Sequence, residues 1–475
     1  MHSERARQWV HIGSGAFALL LRALTWWQAA ALAAFALAFN VVALPRVGGR
    51  RLYRPVDEAR GFPLGILLYP LAVLLLILIF PSRLDIVAAA WGVLAFGDGA
   101  ATLVGQAITT INAAPAQHAE KSGSASSASS AVSASSAVSA FSRRRSLPWN
   151  AEKTVAGTAG FIVFGGLGAI ALASWVRPHV VPMPPLAFTI AAPLAAAIAA
   201  AFVETIPVRL DDNVSVPAAA AVVLWLASLM DATAWQAARG AVVAALGWAV
   251  GLNAMTAWAG YRAKTVSVSG AIAGALVGIV IYAGGGAGAW LLLFLTFLAA
   301  SITSRLGLKR KVLLGIAEER GGRRGAGNAI ANCGVAALAA IAVVTTPHAR
   351  AAMIALVAAL AAGGSDTVAS EIGKAWGRST FLVTTFGRVR PGTPGAMSLE
   401  GTLAGLAAAF VLADIGTMTG LIGNEPILAV VVGATAGALV ESALAATFEG
   451  PGILNNDMLN FINTAVAAAV ALAIA

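Results

Sequence analysis

Two stretches of the chain carry the same polar groups at the same spacing, Asp98-x3-Thr102-x2-Gly105 and Asp366-x3-Ser370-x2-Gly373. These offsets fall on one face of a helix, so each stretch presents a carboxylate, a hydroxyl and a glycine in one stripe. Each is followed by a basic or polar element and a Gly-Thr pair: Gly157-Thr158 after Lys153, and Gly401-Thr402 after Ser398 and Glu400. Each series then places an acid late in a further apolar segment, Glu204 or Glu441. Each closes on an Asn/Asp cluster, Asp211-Asp212-Asn213 or Asn455-Asn456-Asp457. An ordered match of this length indicates an internal duplication. Carboxylate and carboxamide oxygens are hard ligands suited to Mg²⁺, which in turn clamps phosphates. Lys153, Arg323, Arg324, Lys374 and Arg388 offer phosphate-neutralising charge. The run Gly321 to Asn328 sets backbone N–H groups and two guanidiniums at the start of a helix, an arrangement that suits an anion. Pro391–Gly395 (PGTPG) offers a second tight loop behind Arg388 and Arg390.

Plainer readings stand beside these. An intramembrane Asp can be a helix–helix hydrogen-bonding group. Thr102 and Ser370 can satisfy their own backbone. Asp211-Asp212-Asn213 can cap the helix that starts at Val214, and the Gly/Arg run and PGTPG can be turns between spans. None of these explains why the polar groups recur in the same order.

The elements that must position these groups are membrane helices. Of 475 residues, 59% are hydrophobic and 11% charged, with mean hydropathy +0.82. A soluble domain carries about 25% charged residues, so the chain is read as an all-α, polytopic membrane protein. Apolar runs of crossing length lie at 16–44, 62–81, 86–107, 154–176, 186–206, 214–230, 237–260, 268–283, 288–304, 328–346, 350–373, 399–414, 427–448 and 458–475, about fourteen spans. Most of the 31 lysines and arginines fall in alternate loops, which the positive-inside rule puts in the cytoplasm with both termini outside. The net charge of +10 is therefore an orientation signal and implies no nucleic-acid partner. Cys333 is the single cysteine, so there is no disulfide framework. The five histidines (His2, His11, His118, His179 and His348) lack metal-ligand spacing and are read as inert. No Walker loop and no GxGxxG turn follows a strand, which excludes a soluble kinase fold. The Ser/Ala-rich stretch within 114–146 is read as a flexible cytoplasmic loop. The Ala-rich chain without a targeting segment suits a bacterial cytoplasmic (inner) membrane, with sites facing the cytoplasm.

Two resemblances follow from the motifs. Residues 61–230 resemble phytol kinase and dolichol kinase, the polyprenol-kinase branch of the phosphatidate cytidylyltransferase superfamily. The matching residues are Gly97-Asp98-Gly99 with Gly105, Leu147-Pro148-Trp149-Asn150 with Lys153-Thr154 and Gly157-Thr158, and Glu204 with Asp211-Asp212-Asn213. Residues 240–475 resemble the membrane family that contains phytyl-phosphate kinase. The match runs through Gly321–Gly327 with Asn328 and Asn332, and Ser365-Asp366-Thr367 with Ser370-Glu371-Ile372-Gly373. It continues through Pro391-Gly392-Thr393 with Gly395, Ser398 and Gly401-Thr402, then Asn455-Asn456-Asp457 with Asn460. Residues 1–60 form an N-terminal membrane helix and basic loop ahead of both.

The resemblances imply a bifunctional isoprenoid salvage kinase. CTP or another NTP would phosphorylate a prenyl alcohol (phytol, geranylgeraniol or farnesol) to the monophosphate and then to the diphosphate. They imply Asp98, Lys153, Glu204, Asp366, Glu371 and Glu441 as catalytic groups, and Mg²⁺ held by Asp98, Asp211, Asp212, Asp366, Asn455, Asn456 and Asp457. Thr102, Asn150, Thr154, Asn213, Arg323, Arg324, Asn328, Asn332, Ser370, Lys374, Arg388, Gly395, Ser398, Thr402 and Asn460 would bind substrate or nucleotide. The partners implied are the prenyl alcohol and monophosphate, the nucleotide and the bilayer, with oligomeric state left open. Two alternatives stand: a CDP-lipid-forming cytidylyltransferase, and a secondary transporter built from duplicated halves.

Overall fold

A computed structural model describes residues 4–44, 46, 64–105, 146–147, 150–206, 210–316, 323–451 and 453–475. The Ser/Ala-rich loop lies outside them up to residue 145, as do Gly321 and Gly322 and most of the basic loop before residue 64. Helix dominates, because a backbone in lipid must satisfy its own N–H and C=O groups. Two compact units divide between Ser228 and Leu229.

Among the described residues ten helices are long and apolar enough to cross a membrane, and three apolar helices are shorter, 26–42, 65–79 and 212–228. The expected count of fourteen is not reached as continuous helices, because 268–305 is one element with a break.

In the N-terminal unit α1 (Glu4–Ser14), a 3₁₀ turn (Gly15–Arg22), α2 (Trp26–Val42) and α3 (Leu64–Ile79) precede the central helix α4 (Leu84–Gly105). Every residue of α4 from Leu84 to Ala95 is buried; apart from Asp85, which pairs with Arg83 at 2.8 Å, the stretch is apolar all round and belongs inside a bundle. Glycine allows the contact: a Cβ on Gly92 would lie 2.8 Å from Ala169 Cα of the next helix. Between Val93 and Asp98 the helix widens into a π turn. A small antiparallel pair, β1 (Ser146–Leu147) and β2 (Asn150–Thr154), then leads into α5 (Val155–Val176), α6 (Leu186–Glu204) and α7 (Asp212–Ser228).

The C-terminal unit opens with α8 (Ala232–Arg262) and α9 (Val268–Arg305). Gly286 breaks α9 with φ +76. Ahead of the break, Gly270 packs on Arg324 and Gly284 on Ala340, at opposite ends of α11 (Ala326–Thr345). Beyond it, Gly288 meets Thr419, and the arm returns past Gly364 to the short α10 (Leu308–Leu313). The two arms thus run in opposite directions. The central helix is α12 (Ala349–Trp376), buried from Ile354 to Ser365. A three-stranded antiparallel sheet follows, with β3 (Thr380–Leu382) between β4 (Arg388–Val389) and β5 (Ala396–Ser398). It leads into α13 (Leu399–Met418), α14 (Ile427–Leu444), which ends in a π turn at Ala445–Glu449, and α15 (Asn456–Ile474).

Both units therefore order their elements alike: a buried helix bearing Asp, a small antiparallel sheet, a helix, a helix bearing Glu in or near its last turn, and a helix opening on Asn/Asp.

Candidate functional site

In the N-terminal unit the π turn delivers Asp98 to the end of the bundle where β2 and the start of α7 meet. Lys153 of β2 donates to Glu204 Oε1 at 2.6 Å and to Asp212 Oδ2 at 3.3 Å. Carboxylate oxygens of Asp98, Glu204 and Asp212 all lie within 4.8 Å of one another. Glu204 is 5% exposed, so its charge depends on this company. Burial would lower the Lys153 pKa, but the carboxylates of Asp212, Glu204 and Asp98 outweigh it and hold the ammonium above its ordinary range. Three hard oxygen donors so close together fit a divalent cation of the Mg²⁺ kind.

Other expected residues of this unit frame the site. Thr154 caps α5 by accepting from Gly157 N–H at 3.1 Å, and Asn150 Nδ2 ties the hairpin to Thr205 O at 3.1 Å. Thr102 Oγ1 donates back to Asp98 O at 3.4 Å and accepts from Gln8 Nε2. Asp211 is not in the carboxylate group: its Oδ1 accepts from Asn213 N–H and Nδ2 at 3.0 and 2.7 Å, the capping role at the start of α7. Asn213 also donates to Gly65 O at 3.4 Å. Both residues shape the turn at the start of α7.

The histidine expectation needs correction. Helix α1 lies so close over the π turn that a Cβ on Gly99 would meet Ile12 at 2.4 Å. His11 Nε2 stands 3.2 Å from Leu94 O, inside the π turn, and 3.5 Å from Asp98 Oδ2. Its ring meets Tyr69 edge-on at 4.7 Å. His11 joins the site from 83 residues away, and no local spacing announces it.

In the C-terminal unit a cavity of about 230 Å³ is lined by Asp366, Ser370 and Lys374 of α12, Glu441 of α14, Glu449 of its π turn and Asn456. The Pro391–Gly395 loop, Ser398 and Thr402 complete the wall. Gly392 and Gly395 have φ of +84 and +74, and a Cβ on Gly395 would lie 2.3 Å from Ser442 O. The tight loop thus requires glycine, both for conformation and for its approach to α14. Ser398 caps α13 by accepting from Gly401 N–H at 3.1 Å, and Thr402 Oγ1 donates to Ser398 O at 2.8 Å. Glu441 Oε2 is shielded from solvent without a hydrogen-bond partner. That orphaned oxygen beside Asp366 fits a hard cation. Glu449 was missed by sequence reasoning; an acid just before a Gly-Pro turn at the end of a span was the available signal.

Several expected residues sit elsewhere. Glu371 is 2% exposed and turned away from the cavity, bonded to Lys311 Nζ at 2.5 Å and Lys374 Nζ at 3.1 Å. Arg388 lies on β4, over the Phe381 ring at 5.8 Å. The Arg324 backbone pairs with Thr265 and Ser267, at 3.0 Å in both bonds. Arg323 precedes it on the same loop. The start of α11 is crowded by an internal carboxylate, since a Cβ on Gly327 would lie 2.1 Å from Asp457 Oδ2. Asn332 Nδ2 donates to Asn328 O at 3.0 Å, and Asn460 is buried in α15. Asn455 caps α15 by accepting from Met458 N–H at 2.9 Å. None of these lines the cavity; Asn455 is a capping residue, and of its cluster only Asn456 reaches the wall.

The family model described as integral membrane protein DUF92 matches residues 251–468. An uncharacterized membrane protein of Synechocystis is 40% identical over 202 residues, 42% of this chain and 78% of that relative. Protein VTE6, chloroplastic, of Arabidopsis thaliana is 38% identical over 214 residues, 44% of this chain and 64% of that protein, just under two thirds of its length. An uncharacterized membrane protein of Methanocaldococcus jannaschii is 32% identical over 206 residues, 43% of this chain and 84% of that relative. No solved structure matches.

Proposed function

The chain belongs to the DUF92 family of integral membrane proteins, and from that premise we propose that it is a membrane phosphotransferase acting on isoprenoid substrates. The C-terminal unit phosphorylates a prenyl monophosphate to the diphosphate, and the N-terminal unit makes that monophosphate from the alcohol. CTP or another nucleoside triphosphate is the donor, and both sites face the cytoplasm of a bacterial inner membrane. One observation carries the reading. Each unit gathers buried or half-buried carboxylates and a lysine at one end of an apolar bundle: Asp98, Glu204 and Asp212 with Lys153, and Asp366 and Glu441 with Lys374. The motif resemblances supply the substrate class.

In-line phosphoryl transfer needs positioning and charge neutralisation more than covalent help. Asp98, Glu204 and Asp212, and Asp366 with Glu441, would hold Mg²⁺, which when bound draws charge from the phosphate oxygens. Lys153 and Lys374 orient phosphate oxygens. The attacking oxygen of the alcohol or monophosphate displaces the nucleoside diphosphate from the γ-phosphorus. Any proton it carries passes to a carboxylate at the site or to water. The Pro391–Gly395 loop forms one wall of the C-terminal cavity.

Purified protein in detergent with Mg²⁺ and γ-labelled CTP, ATP or GTP tests the reading. Label should pass from the nucleotide to geranylgeraniol, giving first the monophosphate and then the diphosphate. Asp98→Ala should block the first step and Asp366→Ala the second, each by at least about a hundredfold. No label on either lipid with any of the nucleotides would overturn it. Pyrophosphate release in place of the nucleoside diphosphate would move the N-terminal unit to cytidylyl transfer.

A further inference from the structure

Lys311 is only 1% exposed, a strong burial for an ammonium. Its Nζ donates to Ser304 O at 2.9 Å, Thr303 O at 3.3 Å and Glu371 Oε2 at 2.5 Å, which uses all three of its N–H groups. Its neighbour Arg310 donates to Ala375 O at 3.0 Å and Gly377 O at 2.9 Å, strapping α10 to the C-terminal end of α12. The other Glu371 oxygen accepts from Lys374 at 3.1 Å.

Stability alone gives little reason for this arrangement, since a buried ion pair is often matched by apolar side chains of equal volume. Charge gives a better one. Lys374 is the single cation among the described residues lining the cavity; the other charged groups there are Asp366, Glu441 and Glu449. Paired with Glu371 alone, Lys374 would have its charge cancelled from behind. With Lys311 on the opposite oxygen, Glu371 is neutralised and still orients Lys374.

We propose that Lys311 is a positioning residue: it answers the charge of Glu371 so that Lys374 offers an uncancelled positive charge to phosphate oxygens in the C-terminal cavity. The inference rests on the phosphotransferase reading of that cavity and assigns it a second layer of control, delivered from a different helix.

The test follows acylation of Lys374 by a water-soluble amine reagent, read by mass spectrometry on the full chain in detergent with Mg²⁺. Inorganic pyrophosphate is the protecting probe. In wild type it should protect Lys374. Lys311→Met should raise the concentration needed for half-protection about tenfold, the scale of one charge-assisted hydrogen bond. Lys311→Met combined with Glu371→Gln removes both charges and should return protection to within about threefold of wild type. That recovery is not expected if the pair were only a strut. The KM for prenyl monophosphate should move with protection while kcat stays within about threefold. A folded Lys311→Met protein protected like wild type would overturn the proposal. If that variant does not fold, the double variant decides: wild-type-like protection supports the proposal and a tenfold loss overturns it. Absence of protection in wild type itself overturns the phosphate reading of the cavity, and the proposal with it, before any variant is compared.

Discussion

The two units set different cations on one carboxylate frame. In the N-terminal unit Lys153 comes from the small sheet and bonds the acids directly, 2.6 Å from Glu204 and 3.3 Å from Asp212. In the C-terminal unit Lys374 rides on the same helix as Asp366 and bonds an acid outside the cavity, while Glu441 keeps an unpartnered oxygen. The frame beneath is shared. A Cβ on Gly157 would lie 3.0 Å from Ala101 O, and one on Gly401 2.5 Å from Ala369 O; each carbonyl belongs to the residue three places beyond the Asp. The difference lies in what an incoming anion would meet. In the first site the lysine is already held by two carboxylates; in the second its partner is answered from behind by Lys311. The contrast is consistent with the proposed order of steps, a neutral alcohol at the first site and a monophosphate at the second.

The largest effect should come from removing each lysine. Lys153→Met leaves Glu204, 5% exposed, without its cation and should cost about 2–4 kcal/mol of stability, together with loss of the first step. Lys374→Met should cost less than about 1 kcal/mol, because Lys374 is partly exposed and Glu371 keeps Lys311, yet abolish the second step. Thermal melts in detergent beside separate assays of the two steps check both. Equal losses of stability would erase the distinction drawn here.

A smaller effect sharpens the same contrast from the acid side. Glu441→Gln replaces an orphaned carboxylate oxygen with an amide that can donate to Asp366, and should stabilise the C-terminal unit by about 1 kcal/mol. It should also abolish that unit's thermal shift on adding Mn²⁺. Stabilisation with the shift retained would mean that Glu441 is no cation ligand.

How much of this was legible in the sequence follows from the range of each signal. Long apolar runs and the Asp-x3-Ser/Thr-x2-Gly stripe are local, so the helical membrane fold and the placement of Asp366, Ser370 and Lys374 on one wall were within reach. Glu371 was expected at the site, and its place on the helix turns it from the cavity wall. Five residues at about 100° each turn it some 140° from Asp366, toward Lys311. His11 and Lys311 escaped for another reason. They meet their partners across 83 and 60 residues of chain, and a contact of that span leaves no periodicity. The Gly321 to Asn328 run reads as an anion loop by composition, but the carboxylate beside Gly327 arrives from Asp457, a tertiary fact. The break at Gly286 was legible as two spans because glycines interrupt the apolar run, and the basic loops on either side already set the two arms in opposite directions.

The smallest effect expected is a pH dependence peculiar to the N-terminal unit. Lys153 is held above its ordinary value of 10.5 in the folded chain by the carboxylates around it, against the opposing pull of burial. A group whose folded pKa is raised contributes stability that is complete below the unfolded value and fades as pH climbs through the folded one. The contribution should therefore be flat through neutral pH and decline only above about pH 10.5. Other lysines and tyrosines also titrate there, so wild type alone cannot isolate it. Lys153→Arg supplies the reference, because a guanidinium stays charged across that range. If the carboxylate group draws stability from the cation, wild type should lose stability relative to the arginine variant as pH rises past 10.5, while the gap between them stays constant below it. Parallel melting curves up to pH 11.5 would show that Lys153 adds nothing to the fold through its charge. The first-step assay would then have to account for its place among the acids on catalytic grounds alone.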